Sequence, residues 1–427
     1  MRFAFALLGS RGDVQPAVAV ALALRGRGHD VEVAVAPNLV GFVARLGVPA
    51  VPVGADSRDL LGSTLVREDM RSAHPVRRLR ALQAVASVGW DELRTGLAPL
   101  ARRADVVVTG LLGQEVGSAV AEAHGAGFAA LHYCPVRANE VVPLLGLPRR
   151  LSPAVARRVQ ARAWRAGESV RWRLTRTAEN EQRALLGLAP AKVGLPERLR
   201  ERGALEVQAY DPVLVPGLAA QWPARRPVVG FLDLDPGSRA RLGDASLAED
   251  PALEEWLGAG SAPVYVGFGS MAVGDPRALV ATVGRASAAL GVRVVLSTGW
   301  NDFPDDLGAD HPHLRIVGPA DHATLLPRCR AAVHHGGAGT TAAALRAGLP
   351  AVVGHFSADQ PIWGRLLADL GVGVGVPFRD LDAATLTSAL ARVLDPACTA
   401  RARRVAGRLV APEAAVGAAA DLLERAG

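Results

Sequence analysis

The sequence predicts an α/β protein built from two Rossmann-like, doubly wound domains. Three observations carry this. Short apolar runs that read as buried parallel strands recur along the chain, separated by helix-like stretches. The first 36 residues already spell a strand, a glycine-containing turn, a helix and a second strand. At 427 residues the chain is too long for one ordinary core, and two of about 200 residues each are expected. The proline-rich stretch DPVLVPGLAAQWPARRP lacks helical periodicity, so the linker is placed at 213–227. The domains are then 1–212 and 228–398, with a tail at 399–427.

In the first domain Phe3 to Leu8 is a strand, GSRGDVQP (9–16) a turn and Ala17 to Arg25 an apolar helix. Pro16 is expected in the first helical turn, where a missing N–H costs little. Val31 to Ala36 and Pro49 to Val53 read as further strands. From Ala55 to about Leu97 the sequence is polar, basic and weakly periodic. Ala104 to Thr109 and Phe128 to His132 are buried strands with a helix, Val116 to His124, between them. Leu205 to Ala209 closes the domain. Residues 149–183 read as a long helical segment with ten arginines against Glu168, Glu179 and Glu181. It is either a solvated face or a wall that meets an acidic or polar ligand or an anionic membrane surface.

In the second domain Val228 to Leu232 begins a new run of strands. Val264 to Phe268 leads into Gly269-Ser270-Met271, and Val292 to Ser297 into Thr298-Gly299-Trp300. Leu314 to Val317 leads to Gly318-Pro319-Ala320-Asp321-His322, whose last two residues read equally as site or turn. Leu370 to Val376 is a late strand and Ala383 to Leu394 a helix. The tail from Thr399 to Arg425 has an amphipathic pattern interrupted at Pro412.

The chain is organised around Arg330 to Gly364, RAAVHHGGAGTTAAALRAGLPAVVGHFSADQPIWG. A strand (Ala331 to Val333) turns through Gly336, Gly337 and Gly339 into an alanine-rich helix from about Thr340. Such a turn aims backbone N–H groups and the positive end of a helix dipole at one point, which makes an anion site. Glycine permits close approach, Thr340 and Thr341 add hydroxyls, and His335 can donate one more hydrogen bond. Gly348 and Pro350 stop the helix. A second strand, Ala351 to Gly354, leads to Asp359-Gln360.

Composition narrows the classes. The net charge of +7 comes almost wholly from arginine, since Lys192 is the only lysine, and no interleaved aromatics or nucleic-acid motif accompany it. No nucleic-acid partner is expected. Cys134, Cys329 and Cys398 are odd in number and far apart, which gives neither a metal spacing nor a disulfide framework. The N-terminal apolar run reads as a strand and not a signal peptide, and no stretch is long enough to span a bilayer. A soluble, cytoplasmic protein without membrane insertion is expected; the oligomeric state stays open.

The HHGGAGTT run followed by DQP closely resembles the donor-site signature of nucleotide-sugar-dependent glycosyltransferases of the GT-B fold. The resemblance is to the bacterial branch acting on antibiotic aglycones and to its sterol-glucosylating cousins. GSRGDVQP resembles the same branch, and the likeness covers the whole chain, weakly at 55–100 and 135–205. It implies two domains facing a central cleft, with the last helix crossing back to the first domain. It also implies that His335 binds the α-phosphate, that Asp359 and Gln360 bind sugar hydroxyls, and that Ser270 lies near the diphosphate. Asp13 would stand at the acceptor hydroxyl, with Ser10, Gly12 and His132 on the same side. Residues 318–322 would hold the base, and Thr298-Gly299-Trp300 would border the nucleoside.

The chemistry has two demands: stabilising the departing diphosphate and removing the acceptor proton. The helix start with His335, Thr340 and Thr341 answers the first, and Asp13 the second, with His132 and His29 as fallback bases. No DxD pair occupies a suitable loop, so a metal-free, inverting transfer is expected, with no cofactor beyond a dTDP- or UDP-sugar co-substrate. The acceptor would be a small hydroxylated molecule of the natural-product type. Plant members carry His where this chain has Asp13, and a ribose-binding Glu where it has Ala343. That second change makes a deoxythymidine donor as acceptable as a uridine one, while Asp359 and Gln360 suit a hydroxyl-rich sugar. Rival readings are an epimerase or hydrolase on the same fold, or a non-catalytic nucleotide-sugar binder.

Overall fold

The computed structural model describes residues 1–62, 87–142, 144, 152–242, 250–304, 307–308 and 310–427. The chain divides into two compact units, Met1–Leu242 with Val410–Gly427, and Gly243–Leu409.

The first unit runs β1 (Arg2–Leu7), α1 (Arg11–Gly26), β2 (Asp30–Val35), α2 (Pro37–Arg45), β3 (Ala50–Pro52), α3 (Ser57–Gly62) and α4 (Trp90–Ala101). It continues with β4 (Val106–Thr109), α5 (Gln114–His124), β5 (Gly127–His132), α6 (Pro153–Leu185), α7 (Leu195–Glu201), β6 (Leu205–Gln208) and α8 (Pro236–Leu242). Its six strands are all parallel, in the order β3-β2-β1-β4-β5-β6. Phe5 lies opposite Val33 on one side and Val108 on the other. Helices cover the sheet, so its central strands are apolar without alternation, and Val106, Val107 and Val108 are fully buried.

The second unit runs α9 (Pro251–Gly258), β7 (Val264–Gly267), α10 (Pro276–Ala289), β8 (Val294–Ser297), β9 (Leu314–Val317) and α11 (His322–Leu325). Then follow β10 (Ala331–His334), α12 (Ala338–Arg346), β11 (Ala351–His355), α13 (Gln360–Asp369), β12 (Gly373–Pro377), α14 (Ala383–Val393) and α15 (Pro396–Ala406). Its sheet is again parallel, in the order β12-β11-β10-β7-β8-β9. Counted from its own first strand this is the order 3-2-1-4-5-6 reversed in direction, the same winding as the first unit. Each sheet therefore has one place where successive connections turn to opposite sides: between β1 and β4, and between β7 and β10. Ligands of open α/β sheets bind beyond the carboxyl ends of the strands at such a point.

Several expectations need adjusting. No strand forms at Val228 to Leu232; Val228 makes only an isolated bridge to Gln208, and these residues stay with the first unit. The division thus falls after Leu242 and not at 213–227. The tail also divides: α15 belongs to the second unit, whereas α16 (Pro412–Glu424) belongs to the first and packs on α1. Asp211, fully buried, accepts from the Val410 N–H at 2.7 Å and fixes the point of return. Arg27 then binds Asp421 at 2.7 Å and Glu424 at 3.0 Å. Helix α1 begins at Arg11, six residues earlier than the apolar run suggests, because Ser10 and Asp13 cap it. Pro16 therefore sits in the second turn and leaves the carbonyl of exposed Gly12 without its helix partner. Most of the weakly periodic stretch after Ala55 lies outside the described residues, as do Arg149 and Arg150.

Candidate functional site

In the first unit the switch point is built on Gly9. Its φ of +111° turns the chain sharply out of β1, and a Cβ there would stand 2.4 Å from Asp13 Oδ2. The Asp13 carboxylate thus lies over the Gly9 backbone. Its Oδ2 accepts from the Ser10 N–H at 2.7 Å and the Ser10 hydroxyl at 3.0 Å. Asp13 is the third residue of the helix and not its N-cap, which is Ser10. Two of the three expected acceptor-side residues, Ser10 and Gly12, are therefore brought beside Asp13, and each is at least partly exposed.

His132 is not. It ends β5 fully buried, with Nδ1 3.1 Å from Gln208 Nε2 and Arg137 facing Nε2. Burial, aided by the Arg137 charge, holds its pKa down to about 3, so it is a neutral member of an enclosed polar cluster. Burial alone would raise the neighbouring Glu206, but Arg137 and Arg226 bring it down to about 2. His29 is no fallback either: it precedes β2 at the opposite edge of the sheet and binds Glu424 at 2.8 Å. The residue that sequence reasoning missed is Tyr133. A Cβ on Gly110, just past β4, would lie 3.7 Å from its hydroxyl and 3.8 Å from Leu7 at the end of β1. That hydroxyl is buried without a hydrogen-bond partner, and burial together with the Asp13 charge pushes it well above the ordinary phenol range. Nothing local in the sequence marks it; it matters because β5 neighbours β4. The cavity of about 460 Å³ lined by Glu122, Gly127, Arg202, Leu205 and Arg425 lies elsewhere, at the starts of β5 and β6.

In the second unit the switch point joins the turns after β7 and β10 around His335. A Cβ on Gly269 would stand 3.1 Å from its ring, and one on Gly337 2.4 Å from Nε2. Two glycines thus sandwich the imidazole and fix its plane. Burial, with His322 nearby, lowers its pKa to about 4, so it is neutral near pH 7, and its Nδ1 has no partner. The turn is locked from inside by His334, whose Nδ1 accepts from the Gly336 N–H at 3.0 Å. Gly336 is therefore not among the N–H groups left for an anion. Its φ of +90° and the Val353 methyl 2.6 Å from a would-be Cβ explain the glycine. His334 reads from sequence as a mere neighbour of His335; only the strand's register turns it inward.

The start of α12 differs from most helix starts in this unit, sharing its lack of a side-chain cap with α13 among the described residues. Side chains of Asp250, Asp275, Asp321, Asp382 and Asp395 each accept a first-turn N–H of α9, α10, α11, α14 and α15. Helix α12 has Gly337 at its N-cap, no side-chain cap and no acid in its first turn. The N–H groups of Ala338, Gly339 and Thr340 are thereby left to a ligand. Thr341 differs from expectation: it is fully buried, and its backbone N–H already serves the helix through Gly337 O at 2.9 Å. Around this start, Ser270 and Thr298 are half-buried in the turns after β7 and β8. Those turns are tied together, since the Trp300 N–H donates to Gly269 O at 3.0 Å. Asp321 caps α11, and the His322 ring lies 2.8 Å from the Tyr265 hydroxyl.

Asp359 and Gln360 open α13 after Ala358, whose φ of +58° is the one positive value at a non-glycine among the described residues. Asp359 Oδ2 accepts from Trp363 Nε1 at 2.7 Å, and burial raises its pKa. Gln360 does not point outward. It is 6% exposed, accepts the Phe356 N–H at 2.7 Å and donates to Met271 Sδ at 3.3 Å, so it closes its own loop. Among the described residues no group of three or more His, Cys, Asp or Glu is placed to hold a metal, and no helix is long and apolar enough to cross a membrane.

Two parallel sheets of this winding, each with a polar switch point, make a two-domain, doubly wound architecture, and comparison with known proteins identifies it. Residues 3–143 match the glycosyltransferase family 28 N-terminal domain. Residues 287–423 match the erythromycin biosynthesis protein CIII-like C-terminal domain. A Mycobacterium tuberculosis protein named as an uncharacterized glycosyltransferase is 42% identical over 100% of this chain and 99% of its own length. The vancomycin aglycone glucosyltransferase of Amycolatopsis orientalis is 34% identical over 98% of this chain and 96% of its own. Among solved structures, the calicheamicin glycosyltransferase CalG4 superposes with a TM-score of 0.69 at 18% identity, covering 99% of this chain and 97% of that one. The kitacinnamycin enzyme gives 0.67 at 21%, covering 99% and 98%. The chain belongs to this family of antibiotic-type glycosyltransferases and has the GT-B fold.

Proposed function

We propose that the enzyme transfers a hexosyl group from a dTDP- or UDP-sugar to a hydroxyl of a small natural-product acceptor, by a single inverting displacement that needs no metal. The observation that carries the reading is the uncapped start of α12 beside the glycine-held His335. As the glycosyl C–O bond to the diphosphate breaks, negative charge grows on the leaving oxygens. Free N–H groups of Ala338, Gly339 and Thr340, the helix dipole and an imidazole N–H stabilise that charge. Ser270 and the Thr340 hydroxyl add donors, and Thr298 borders the nucleoside. Meanwhile the acceptor oxygen bonds to the anomeric carbon and its proton passes to Asp13. Asp13 serves although an ordinary carboxylate is a weak base, because the hydroxyl grows acidic as the new bond forms. Asp359, through the oxygen not held by Trp363, takes the sugar-contacting part; Gln360 positions its loop.

The glycosyltransferase VinC was solved with dTDP, and SsfS6 with thymidine diphosphate. Together with Ala343 in place of a ribose-binding acid, this supports deoxythymidine as the first donor to test. The experiment is a melting-temperature panel with TDP, UDP, GDP and ADP on the wild type and on His335→Ala. A ligand at one hundred times its dissociation constant stabilises the fold by about 2.7 kcal/mol. A pyrimidine diphosphate should give the largest shift, and His335→Ala should reduce it. A purine diphosphate leading the panel would overturn the donor assignment.

A further inference from the structure

Helix α6 carries an exposed row of Arg158, Arg162, Arg165, Arg173 and Arg176, with Ser169 in the gap. The spacing of three and four residues puts them on one face, over about 27 Å at 1.5 Å per residue. None of the five has a carboxylate partner among the described residues. Three acids near the helix are used on its inner side, where Glu115 binds Arg171 at 2.8 Å, Glu122 binds Arg183 at 2.6 Å and Glu168 accepts the Ala138 N–H, and exposed Glu181 lies five residues beyond the row. Like charges three and four residues apart destabilise a helix. The arginine-for-lysine bias of the whole chain explains the residue type but not this alignment.

The surroundings choose the counter-surface. The opposite face is buried through Trp164, Thr175 and Gln182, so the helix lies along the protein and cannot enter a bilayer. The side chains between the arginines are Ala166, Gly167, Ser169 and Thr177, too small to anchor in a protein partner's pockets. Two apolar side chains, Val155 and Val170, are 44% and 50% exposed beside the row. Aromatic stacking platforms for nucleic acid are absent from this face. Trp164 donates to Val142 O at 3.0 Å, and Trp172 lies 5.9 Å beneath the Arg198 guanidinium. A straight cationic row flanked by aliphatic groups suits a plane of acidic headgroups over hydrocarbon.

We propose that this face of α6 docks the enzyme on an anionic lipid surface. The inference does not depend on which sugar or acceptor the enzyme uses. Each basic residue near an acidic leaflet strengthens partitioning roughly fivefold, and salt screens the effect. The test is cosedimentation of the full chain with phosphatidylcholine vesicles, with and without phosphatidylglycerol, at low and high salt. Three proteins are compared: wild type; the triple variant Arg158→Glu, Arg162→Glu, Arg165→Glu; and a control triple, Arg45→Glu, Arg102→Glu, Arg404→Glu, with the same change in net charge. Wild type and control should bind the anionic vesicles alone and release in high salt. The α6 variant should lose about a hundredfold or more in partitioning, while keeping its melting temperature and nucleotide-induced shift. The proposal is overturned if wild type ignores anionic vesicles, if both triples lose binding equally, or if a DNA duplex binds more tightly at the same salt.

Discussion

Asp13 serves the fold and the proposed reaction through different properties of one side chain. As third residue of α1 it accepts two hydrogen bonds from Ser10, which any neutral acceptor of the same shape could do. As a base it must carry negative charge. Asp13→Asn should therefore leave the melting temperature and nucleotide shift nearly unchanged, while turnover with donor and acceptor falls roughly 10²–10⁴-fold. An active Asn enzyme would remove the assignment. Tyr133→Phe deletes only a buried, unpartnered hydroxyl, so stability should hold or rise slightly. If that hydroxyl meets the acceptor, the acceptor KM should rise several-fold with nucleotide affinity untouched. The contrast with Gln360 shows what was legible at this scale. Residue type and spacing located Asp13, His335 and Asp359 near switch points. They could not show which way Gln360 or Thr341 would turn, because that depends on packing against Met271 and the helix interior. Tyr133 and His334 stayed hidden for the same reason: each acts through a neighbour distant in sequence or through strand register.

At the scale of elements, strands were read more surely than helix starts. A buried parallel strand needs only a short apolar run, and nearly all appeared within a residue or two. Helix starts depend on single residues, so α1 begins early, just after its cap Ser10, and α13 begins just after Asp359 without a side-chain cap. The missed end of the first unit has a similar cause: proline content marked 213–227 as a linker, yet Asp211 and Val228 are bound to the body there. Helix α12 supplies a prediction of opposite signs. Gly339 is exposed with open space where a Cβ would stand. Gly339→Asp should stabilise the protein by about 0.5–1.5 kcal/mol, through better helix propensity and a favourable dipole interaction. The same carboxylate should repel a diphosphate and lower TDP or UDP affinity at least tenfold. Denaturant unfolding and ligand titration of one variant test both halves; a variant that binds normally would place the anion elsewhere.

For the whole molecule, acid sensitivity follows from three neutral histidines, two of them fully buried. His132 and His334 are held at about 3 and His335 at about 4, chiefly by burial. Unfolded histidine titrates near 6.5, so between these values the unfolded chain binds more protons. Stability is then complete above about pH 6.5 and declines on acidification, by about 1.4 kcal/mol per pH unit for each histidine. Two of the three belong to the second unit, which should become the weaker half near pH 5. Hydrogen exchange resolved by unit across a pH series would check this, and His334→Asn, which keeps an acceptor for Gly336, should flatten the second unit's decline. The return of α16 to the first unit has a different consequence, for recombination. A hybrid that exchanges the second unit by one crossover near residue 242 would also import a foreign terminal helix. Arg27 and His29 would then face side chains, and Asp211 a backbone N–H, selected against another body, whereas two crossovers, at 242/243 and 409/410, would carry the second unit alone and leave those pairings native.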